Sequence, residues 1–370
     1  MRLATFEVIQ VRRLGFRTGK DAAMIEIGYK LSSEEFGPAD LVRFATRAEA
    51  AGFGFALISD HFHPWTDRQG QSPFVWTVVG AVAQATSRLR LGTAVTCPTI
   101  RTHPAIIAQA AATSAALMPG RFFLGVGTGE NLNEHVVGRG WPSAEVRLEM
   151  LEEAVRVIRL LWEGGTKSHH GRHYTLEDAR LYTLPDESPP IMVAASRPHA
   201  AELAGRCGDA MINTEVDEEL LRRFESGGGD DNPRYIEQGV CWAKDERTAR
   251  KTAHEIWPLS GLAGPLFTEL ALPAHYEAAC KPITEEMVAK GVICGPDPKR
   301  HIDAIHKAER AGYTHFCVHQ VGPEQERFIE FYEREVLPAV GGERATRRKP
   351  AVKAAASSGR RGGARARAGR

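Results

Sequence analysis

Residues able to move a proton follow one of the short apolar runs in the sequence. The run 55–59 is followed directly by Asp60 and His61, with Trp65 four residues further on. An imidazole titrates near neutral pH and can take a proton from a hydroxyl group, and a neighbouring carboxylate can hold the ring in one orientation. A lone loop histidine is more often only hydrogen-bonded, but Trp65 and an acid at another strand end accompany this one. We therefore predict an acid-base pair of Asp60 and His61, with His61 as the base.

Three alternating glycines end another apolar run. Gly125, Gly127 and Gly129 precede Glu130. A dinucleotide fingerprint would need glycine where Glu130 stands, which disfavours a nicotinamide-binding Rossmann site. Such glycines form either a tight turn or a surface that another group approaches closely. We favour the second interpretation, with Gly127 and Gly129 beneath a planar ring and Glu130 at its rim.

A histidine-rich segment and the cysteines carry a weaker signal. His169, His170 and His173 alternate with Lys167 and Arg172, which is more typical of a solvated hairpin than of a zinc site. The six cysteines contain no Cys-x-x-Cys pair, which favours reduced thiols in a cytoplasmic protein. We predict that the protein holds no metal.

Two alternating periodicities predict the elements that position these residues. Eight β-rich runs lie at 24–31, 55–59, 89–96, 122–126, 191–195, 210–214, 235–243 and 315–319. Helical apolar spacing is found between most of them, as at 39–51, 105–117, 144–162 and 324–336. This alternation predicts an α/β protein with a parallel sheet, and eight units favour a (β/α)8 TIM barrel over an open doubly wound sheet. Two further stretches, 164–190 and 257–300, are predicted insertions, the first of them resembling a hairpin.

Composition and charge bound the class of protein. The chain has 370 residues, 43% of them hydrophobic and 25% charged, which is typical of a soluble globular protein. Its net charge of +1 divides into −11 for residues 24–340, +3 for 1–23 and +9 for 341–370. An acidic body disfavours specific binding of nucleic acid, and no apolar stretch approaches the ~18 residues of a membrane span. We predict a poorly ordered N-terminal extension at 1–23, with Met24 as an alternative start, a barrel at 24–340 and a disordered basic tail at 341–370.

Several motifs resemble one known family. They are Asp60-His61 with Pro64-Trp65, the run LGTAVTCPT at 91–99, Pro104-Ala105 with Ala108-Gln109-Ala110, and Gly120-Arg121-Phe122 through to Asn133-Glu134. These motifs resemble the luciferase-like superfamily, and within it the deazaflavin-dependent dehydrogenases typified by the F420-dependent glucose-6-phosphate dehydrogenases. The resemblance covers about residues 24–340 and implies a luciferase-like (β/α)8 barrel, in agreement with the strand count.

The resemblance also implies coenzyme F420 as the cofactor and a set of residues that contact it. Those residues are Asp60, Ala94, Val95, Cys97, Gly127, Gly129, Glu130, Asn133, Ala195, Ser196 and Arg197. It further implies a cis peptide bond between Ala94 and Val95. The family's glycine-rich loop is replaced here by Ser196 and Arg197, whose hydroxyl and guanidinium groups still suit a phosphate.

The mechanism that the resemblance implies is the oxidation of a hydroxyl group. His61 would take the proton of an alcohol or lactol while its carbon delivers hydride to the deazaflavin, and Glu130 would protonate the ring nitrogen. Trp65 would pack against the reacting centre and, with Thr214 and His319, contact the substrate.

The phosphate clamp of the sugar-phosphate enzymes is only partly present. Thr214 matches, but the family's lysine falls within the acidic run 215–219 and its arginine corresponds to Gly291. Lys281, Lys290 and Arg300 are the remaining candidates for a replacement. We therefore predict a small-molecule substrate without a phosphate group.

Two other functions remain open from the sequence. One is a luciferase-like monooxygenase that uses FMN, and the other is a catalytically silent F420-binding protein. Asp60-His61, Trp65 and Glu130 favour a dehydrogenase over both. We also predict a cytoplasmic homodimer that makes no membrane contact.

Overall fold

The computed structural model describes residues 24–262 and 264–341, so the predicted extension 1–23 and residues 342–370 of the predicted tail lie outside the described residues. The eleven strands are β1 (Glu26–Leu31), β2 (Phe55–Ile58), β3 (Arg90–Thr93), β4 (Phe122–Val126), β5 (Lys167–His170), β6 (Thr175–Ala179), β7 (Ile191–Ala194), β8 (Ala210–Asn213), β9 (Arg234–Cys241), β10 (Ile293–Cys294) and β11 (His315–Gln320).

Eight of these strands close into a parallel barrel. Their order is β1-β2-β3-β4-β7-β8-β9-β11, and β11 pairs in turn with β1. The eight strands are the eight predicted from the sequence, and the (β/α)8 barrel is confirmed. The predicted run 89–96 is longer than β3, because residues 94–96 leave the ladder and only Thr96 returns to pair with Val126.

Helices surround the barrel and return the chain from the end of one strand to the start of the next. They are α1 (Pro38–Ala51), α2 (Val75–Ala85), α3 (Pro104–Leu117), α4 (Asn131–Glu134), α5 (Ala144–Trp162), α6 (Pro198–Cys207), α7 (Glu218–Phe224), α8 (Glu246–Ile256), α9 (Leu266–Glu269), α10 (Pro273–Cys280), α11 (Glu285–Gly291), α12 (Pro298–Ala311), α13 (Gln325–Phe331) and α14 (Leu337–Val340). Several begin with proline in the first turn, where a missing N–H costs nothing. Across the described part of the chain, no helix combines the length and apolarity of a membrane span.

Both predicted insertions contain structure of their own. The stretch 164–190 holds the antiparallel hairpin β5–β6, as predicted. His169 lies on this hairpin with its Nε2 3.1 Å from Glu153 of α5, so it ties the hairpin to the barrel wall. The stretch 257–300 holds α9, α10, α11 and the short strand β10, which adds to the edge of β9. This second insertion packs above the mouth of the barrel.

Large side chains fill the centre of the barrel. Phe55, Phe123, Met192, Tyr235 and Cys317 are buried there and contact one another. A filled lumen is the rule for barrels of this size, so the interior is a packed core rather than a channel. Chemistry is therefore confined to the two ends of the barrel, and the loops that follow the strands form its mouth.

Candidate active site

The predicted site residues all lie at the mouth, at or just after the C-terminal ends of strands. They are Asp60, His61 and Trp65 after β2; Ala94, Val95 and Cys97 after β3; Gly127, Gly129, Glu130 and Asn133 after β4; Ala195, Ser196 and Arg197 after β7; Thr214 after β8; and His319, the penultimate residue of β11. Parallel strands bring these ends to one face of the barrel. Residues from six strands thus converge on a single region.

His61 is held in one orientation by its own loop. Its Nδ1 lies 3.1 Å from the carbonyl oxygen of His63. A carbonyl oxygen can only accept, so Nδ1 carries the hydrogen and Nε2 is the basic nitrogen of the neutral ring. Nε2 lies 3.4 Å from Oε1 of Glu34, and both side chains are more than nine-tenths buried. The ring is therefore arranged to take a proton at Nε2 and to have the resulting cation stabilised by a carboxylate.

Glu34 is the carboxylate that faces His61. Burial acts to raise its pKa, but the imidazolium form of His61, the charge of Lys30 and the backbone N–H outweigh burial, and the pKa of Glu34 is lowered. Its Oε2 accepts a hydrogen bond of 3.1 Å from Ser32. The predicted pair of Asp60 with His61 is wrong in this respect, because the carboxylate partner of the imidazole comes from the loop after β1.

Asp60 instead anchors the loop after β3. Its Oδ2 accepts from Thr96 Oγ1 at 2.8 Å, and its Oδ1 pairs with Arg101 at 2.8 Å. Arg101 also donates its backbone N–H to Glu134 at 2.6 Å. Asp60 and His61 therefore have different partners although they are adjacent in sequence.

The segment after β3 forms a shelf at the mouth. The peptide bond between Ala94 and Val95 is cis, as the resemblance implied. Ala94 and Val95 are half-buried and, together with Ala194, cover the apolar centre of the barrel. These small apolar side chains form a surface at the mouth that suits contact with a flat aromatic ring.

The three glycines lie behind this shelf. A Cβ on Gly127 would come within 2.7 Å of Val95 Cγ2, and one on Gly129 within 2.5 Å of Cys97 Sγ. A Cβ on Gly125 would collide with the backbone carbonyl of Thr93. The close neighbours of these glycines are thus atoms of the segment 93–97 itself. The close approach expected at these glycines therefore comes from the protein's own segment 93–97, and a side chain at these positions would overlap the Thr93 carbonyl, the Val95 methyl group or the Cys97 sulfur.

A buried charged cluster forms the floor of the mouth. Lys30 Nζ donates to the Ala94 carbonyl at 2.9 Å and pairs with Glu237 Oε2 at 2.9 Å. The Nδ1 atom of His319 lies 3.5 Å from Glu237, and its Nε2 lies 3.6 Å from Glu35. Within the described residues, His319 Nε2 is buried without a hydrogen-bond partner. This ring nitrogen and the shelf fit a polar, planar ligand at the mouth.

Aromatic side chains cover one side of the mouth. The Trp65 ring centroid lies 4.9 Å from that of His61 and 4.9 Å from that of Phe267. Trp257 and Tyr276 pack edge-on against Trp65 at 6.2 Å and 5.4 Å. Three of these four aromatic residues come from the region 257–300, so the insertion shields the imidazole from water.

The remaining predicted residues are more exposed to solvent. Ser196, Arg197 and Thr214 are exposed, and Arg197 immediately precedes α6. The N–H groups of a helix N-terminus and a guanidinium are both suited to an anion. Among the described residues, no group of three or more His, Cys, Asp and Glu side chains could hold a metal ion.

Several residues of the site were not predicted from the sequence. The charged ones are Lys30, Glu34, Glu35, Arg101 and Glu237, and the aromatic ones are Trp257, Phe267 and Tyr276. Glu34 follows the first strand, so the rule that function lies after strand ends would have found it if applied to β1. Lys30 and Glu237 lie within strands and point into the lumen, and a charged residue in a strand normally indicates a solvated face.

Comparison with known proteins agrees with this geometry. The sequence model of the family described as luciferase-like monooxygenase matches residues 22–315. The chain belongs to the luciferase-like family. Two curated relatives of this chain are named F420-dependent glucose-6-phosphate dehydrogenases. The one from Intrasporangium calvum is 38% identical, over 86% of this chain and 100% of its own length. The one from Mycobacterium avium is 38% identical, over 85% of this chain and 98% of its own length.

A solved structure of this family shares both fold and sequence. It is an F420-dependent secondary alcohol dehydrogenase in complex with an F420-acetone adduct, with a TM-score of 0.80 and 31% identity. The match covers 86% of this chain and 99% of the other. The family and the fold are therefore established for almost the whole described part of the luciferase-like chain.

Proposed function

We propose that the protein transfers a hydride between the hydroxyl-bearing carbon of an alcohol or sugar-like substrate and coenzyme F420. The relatives bear out the enzyme class, a dehydrogenase, and the cofactor, F420. The observation that carries the proposal is the fixed tautomer of His61, whose basic Nε2 faces the Glu34 carboxylate beneath an aromatic cover. The predicted homodimer and cytoplasmic location stay predictions.

The residues at the mouth fit a bound deazaflavin. Ala94, Val95 and Ala194 would support the flat ring, and Ser196 with Arg197 would hold a phosphate group at the start of α6. Asp60 and Cys97 are already engaged by Arg101 and Thr99, so they would contribute to the cofactor site mainly by fixing the shelf. When bound, F420 supplies a ring carbon that accepts or gives hydride only.

His61 acts as the general base. Its Nε2 takes the proton of the substrate hydroxyl, and the Glu34 carboxylate stabilises the imidazolium that forms. The His63 carbonyl keeps the other nitrogen protonated, so the ring cannot present the wrong tautomer. Trp65 packs against the imidazole and excludes water from the transferred proton.

Glu130 acts as the acid on the cofactor side. It is half-buried, precedes the short helix α4, and has its Oε2 3.3 Å from Nδ2 of Asn133. One carboxyl oxygen is thus engaged by the protein, and the other remains to hold the proton that goes to the ring nitrogen. A proton donor at this position would stabilise a cofactor ring that gains negative charge.

The names of the relatives include two substrate classes, a sugar phosphate and a secondary alcohol. The choice between these classes is argued from the residues of this chain. Arg300 is engaged by the Cys294 carbonyl at 2.8 Å and by Glu246 at 3.4 Å, and Lys281 and Lys290 are exposed. In the acidic run 215–219, Asp217 caps α7 by accepting from Glu219 N at 2.8 Å, and Glu215 is exposed. These contacts favour a substrate without a phosphate group.

Kinetics with the two substrate classes test this choice. We expect F420 reduction to be faster with 2-propanol or unphosphorylated glucose than with glucose 6-phosphate at equal concentration, because the phosphate group would lose its hydration without a matching cationic partner and would be repelled by the acidic run 215–219. A clear preference for glucose 6-phosphate would show that Lys281, Lys290 or Arg300 rebuilds a phosphate clamp, and the substrate assignment would be wrong.

A further inference from the structure

One side chain joins the segment that carries the base to the segment that carries the acid. Asn133 is 1% exposed. Its Oδ1 accepts hydrogen bonds from the backbone N–H of Phe62, at 2.9 Å, and of His63, at 3.2 Å. Its Nδ2 donates to Oε2 of Glu130 at 3.3 Å. The amide therefore touches Glu130 directly and holds the two residues that follow His61.

The hydrogen-bond partners of Asn133 fix which end of its amide is the carbonyl and which is the NH2 group. An oxygen that receives two N–H groups must be the carbonyl end, so the NH2 group necessarily faces Glu130. An N–H donor stabilises the ionised carboxylate and fixes which oxygen is engaged. A proton on Glu130 is thereby directed to Oε1, the oxygen that Asn133 does not contact.

A second contact supports the same link. His63 Nδ1 lies 2.9 Å from the backbone carbonyl oxygen of Leu132, so the loop after β2 and the helix α4 are joined at two neighbouring points. This contact reaches only the backbone of α4, whereas Asn133 also reaches the carboxylate of Glu130. Asn133 alone of these two residues couples loop position to the orientation of the acid.

We propose that Asn133 is a positioning residue for proton transfer, which orients the Glu130 carboxyl group and sets its place relative to His61. This role rests on the proposed function, in which Glu130 gives the proton. It is a role in addition to the cofactor contact that the sequence resemblance implied for Asn133, since Nδ2 carries a second hydrogen that the Glu130 contact does not use.

Several other titratable or charged groups face Glu130, and they set the background for its pH dependence. They are Glu134 on the same short helix, Cys97 after β3, and Tyr276 of α10. Burial raises the pKa of the Glu134 carboxyl to about 7, against the opposing effect of Arg101. A substitution at position 133 leaves the chemical identity of each of these groups unchanged.

Asn133→Asp separates the two roles of the amide. The carboxylate still accepts from the N–H groups of Phe62 and His63, but it replaces the donor that faces Glu130 with a second negative group. We expect the rate of cofactor reduction in a single turnover to fall ~10- to 100-fold, because the acid is misoriented. We also expect the alkaline limb of the pH profile of this rate to move upward, because two carboxylates in contact resist ionisation. F420 affinity should stay within about threefold.

Asn131→Asp is the matched control. It makes the same chemical change two residues away, where Asn131 Nδ2 donates to the Glu269 carbonyl at 3.0 Å rather than to Glu130. We expect at most a small change in rate and less than half of the pH shift. Should Asn133→Asp not fold, Asn133→Ser removes the donor without adding charge, and it should move the same limb upward by a smaller amount.

Glu130→Gln separates failure of this inference from failure of the proposed function. A slow Glu130→Gln enzyme that loses no further rate on adding Asn133→Asp supports both. A slow Glu130→Gln enzyme beside a normal Asn133→Asp enzyme overturns the positioning role alone. An Asn133→Asp enzyme that reacts normally but binds F420 more than tenfold more weakly makes Asn133 a cofactor ligand and also overturns it. A fully active Glu130→Gln enzyme overturns both assignments.

Discussion

The two ends of the barrel lumen hold similar residues that do different things. At the end where the strands begin, Glu26, Arg90, Tyr235 and His315 form a cluster, with Arg90 2.6 Å from Glu26 and the His315 ring stacked on Tyr235 at 4.0 Å. At the mouth, His61 faces Glu34 at 3.4 Å. Each end thus has a buried histidine near a carboxylate.

The difference lies in what each imidazole can exchange a proton with. Burial, and then the charge of Arg90, hold the pKa of His315 well below its usual range, so this ring stays neutral inside a closed stack. His61 has its Nδ1 anchored, its Nε2 beside an ionised carboxylate, and its ring below an aromatic cover. A cluster of titratable residues is therefore a site only where a substrate can reach it, which in this fold is the mouth.

The same substitution at the two histidines should have the largest and most different effects. We expect His61→Ala to lower kcat by ~10²- to 10⁴-fold with F420 affinity nearly unchanged, the scale for loss of a general base. His315→Ala should leave kcat within about twofold but lower the free energy of unfolding by roughly 2–4 kcal/mol, because it opens a cavity in the lumen. Steady-state kinetics and urea unfolding on both variants check this. Equal activity of His61→Ala and the wild type would remove His61 from the mechanism.

Replacing Lys30 tests whether the ion pair between Lys30 and Glu237 lies in a low-dielectric environment. Lys30→Met should lower the free energy of unfolding by about 3–5 kcal/mol, because the largely buried Glu237 loses its ammonium partner and is left with the imidazole of His319 at 3.5 Å. Adding Glu237→Gln should restore most of this loss. Lys299→Met is the control, since its pair with Asp303 is exposed and such pairs contribute about 0–1 kcal/mol. Equal effects of the Lys30 and Lys299 changes would mean that the floor is not a low-dielectric environment.

The closed cluster should also leave a signature in the pH dependence of stability. The pKa of His315 is lowered in the folded state from its ordinary value of 6.5, so the unfolded chain binds the proton first. This contribution to stability is present above pH 6.5 and is lost as the pH falls, at a rate of up to ~1.4 kcal/mol per pH unit. Urea unfolding between pH 7.5 and 5.5 should show a smaller slope for His315→Asn than for the wild type. Identical slopes would contradict the assignment of His315 as a neutral buried ring.

The barrel itself was predictable because its strands are short β-rich runs separated by amphipathic helices. The positions of His61 and Glu130 at the mouth were predictable for the same reason, since both follow a strand. The partner of His61 was not, because Glu34 comes from a different strand end and only the closed barrel brings it near. Lys30 and Glu237 were missed because a charge in a strand normally faces solvent.

The mouth of the barrel is expected to bind F420 in preference to FMN. Trp65 and Trp257 lie there in contact, so ligand binding can be followed by the loss of tryptophan fluorescence on titration with each cofactor. We expect saturable quenching by F420 with an affinity at least ~10-fold higher than for FMN. Trp65→Phe should reduce the amplitude of this quenching. Tighter binding of FMN than of F420 would contradict the assignment and favour a flavin-dependent monooxygenase.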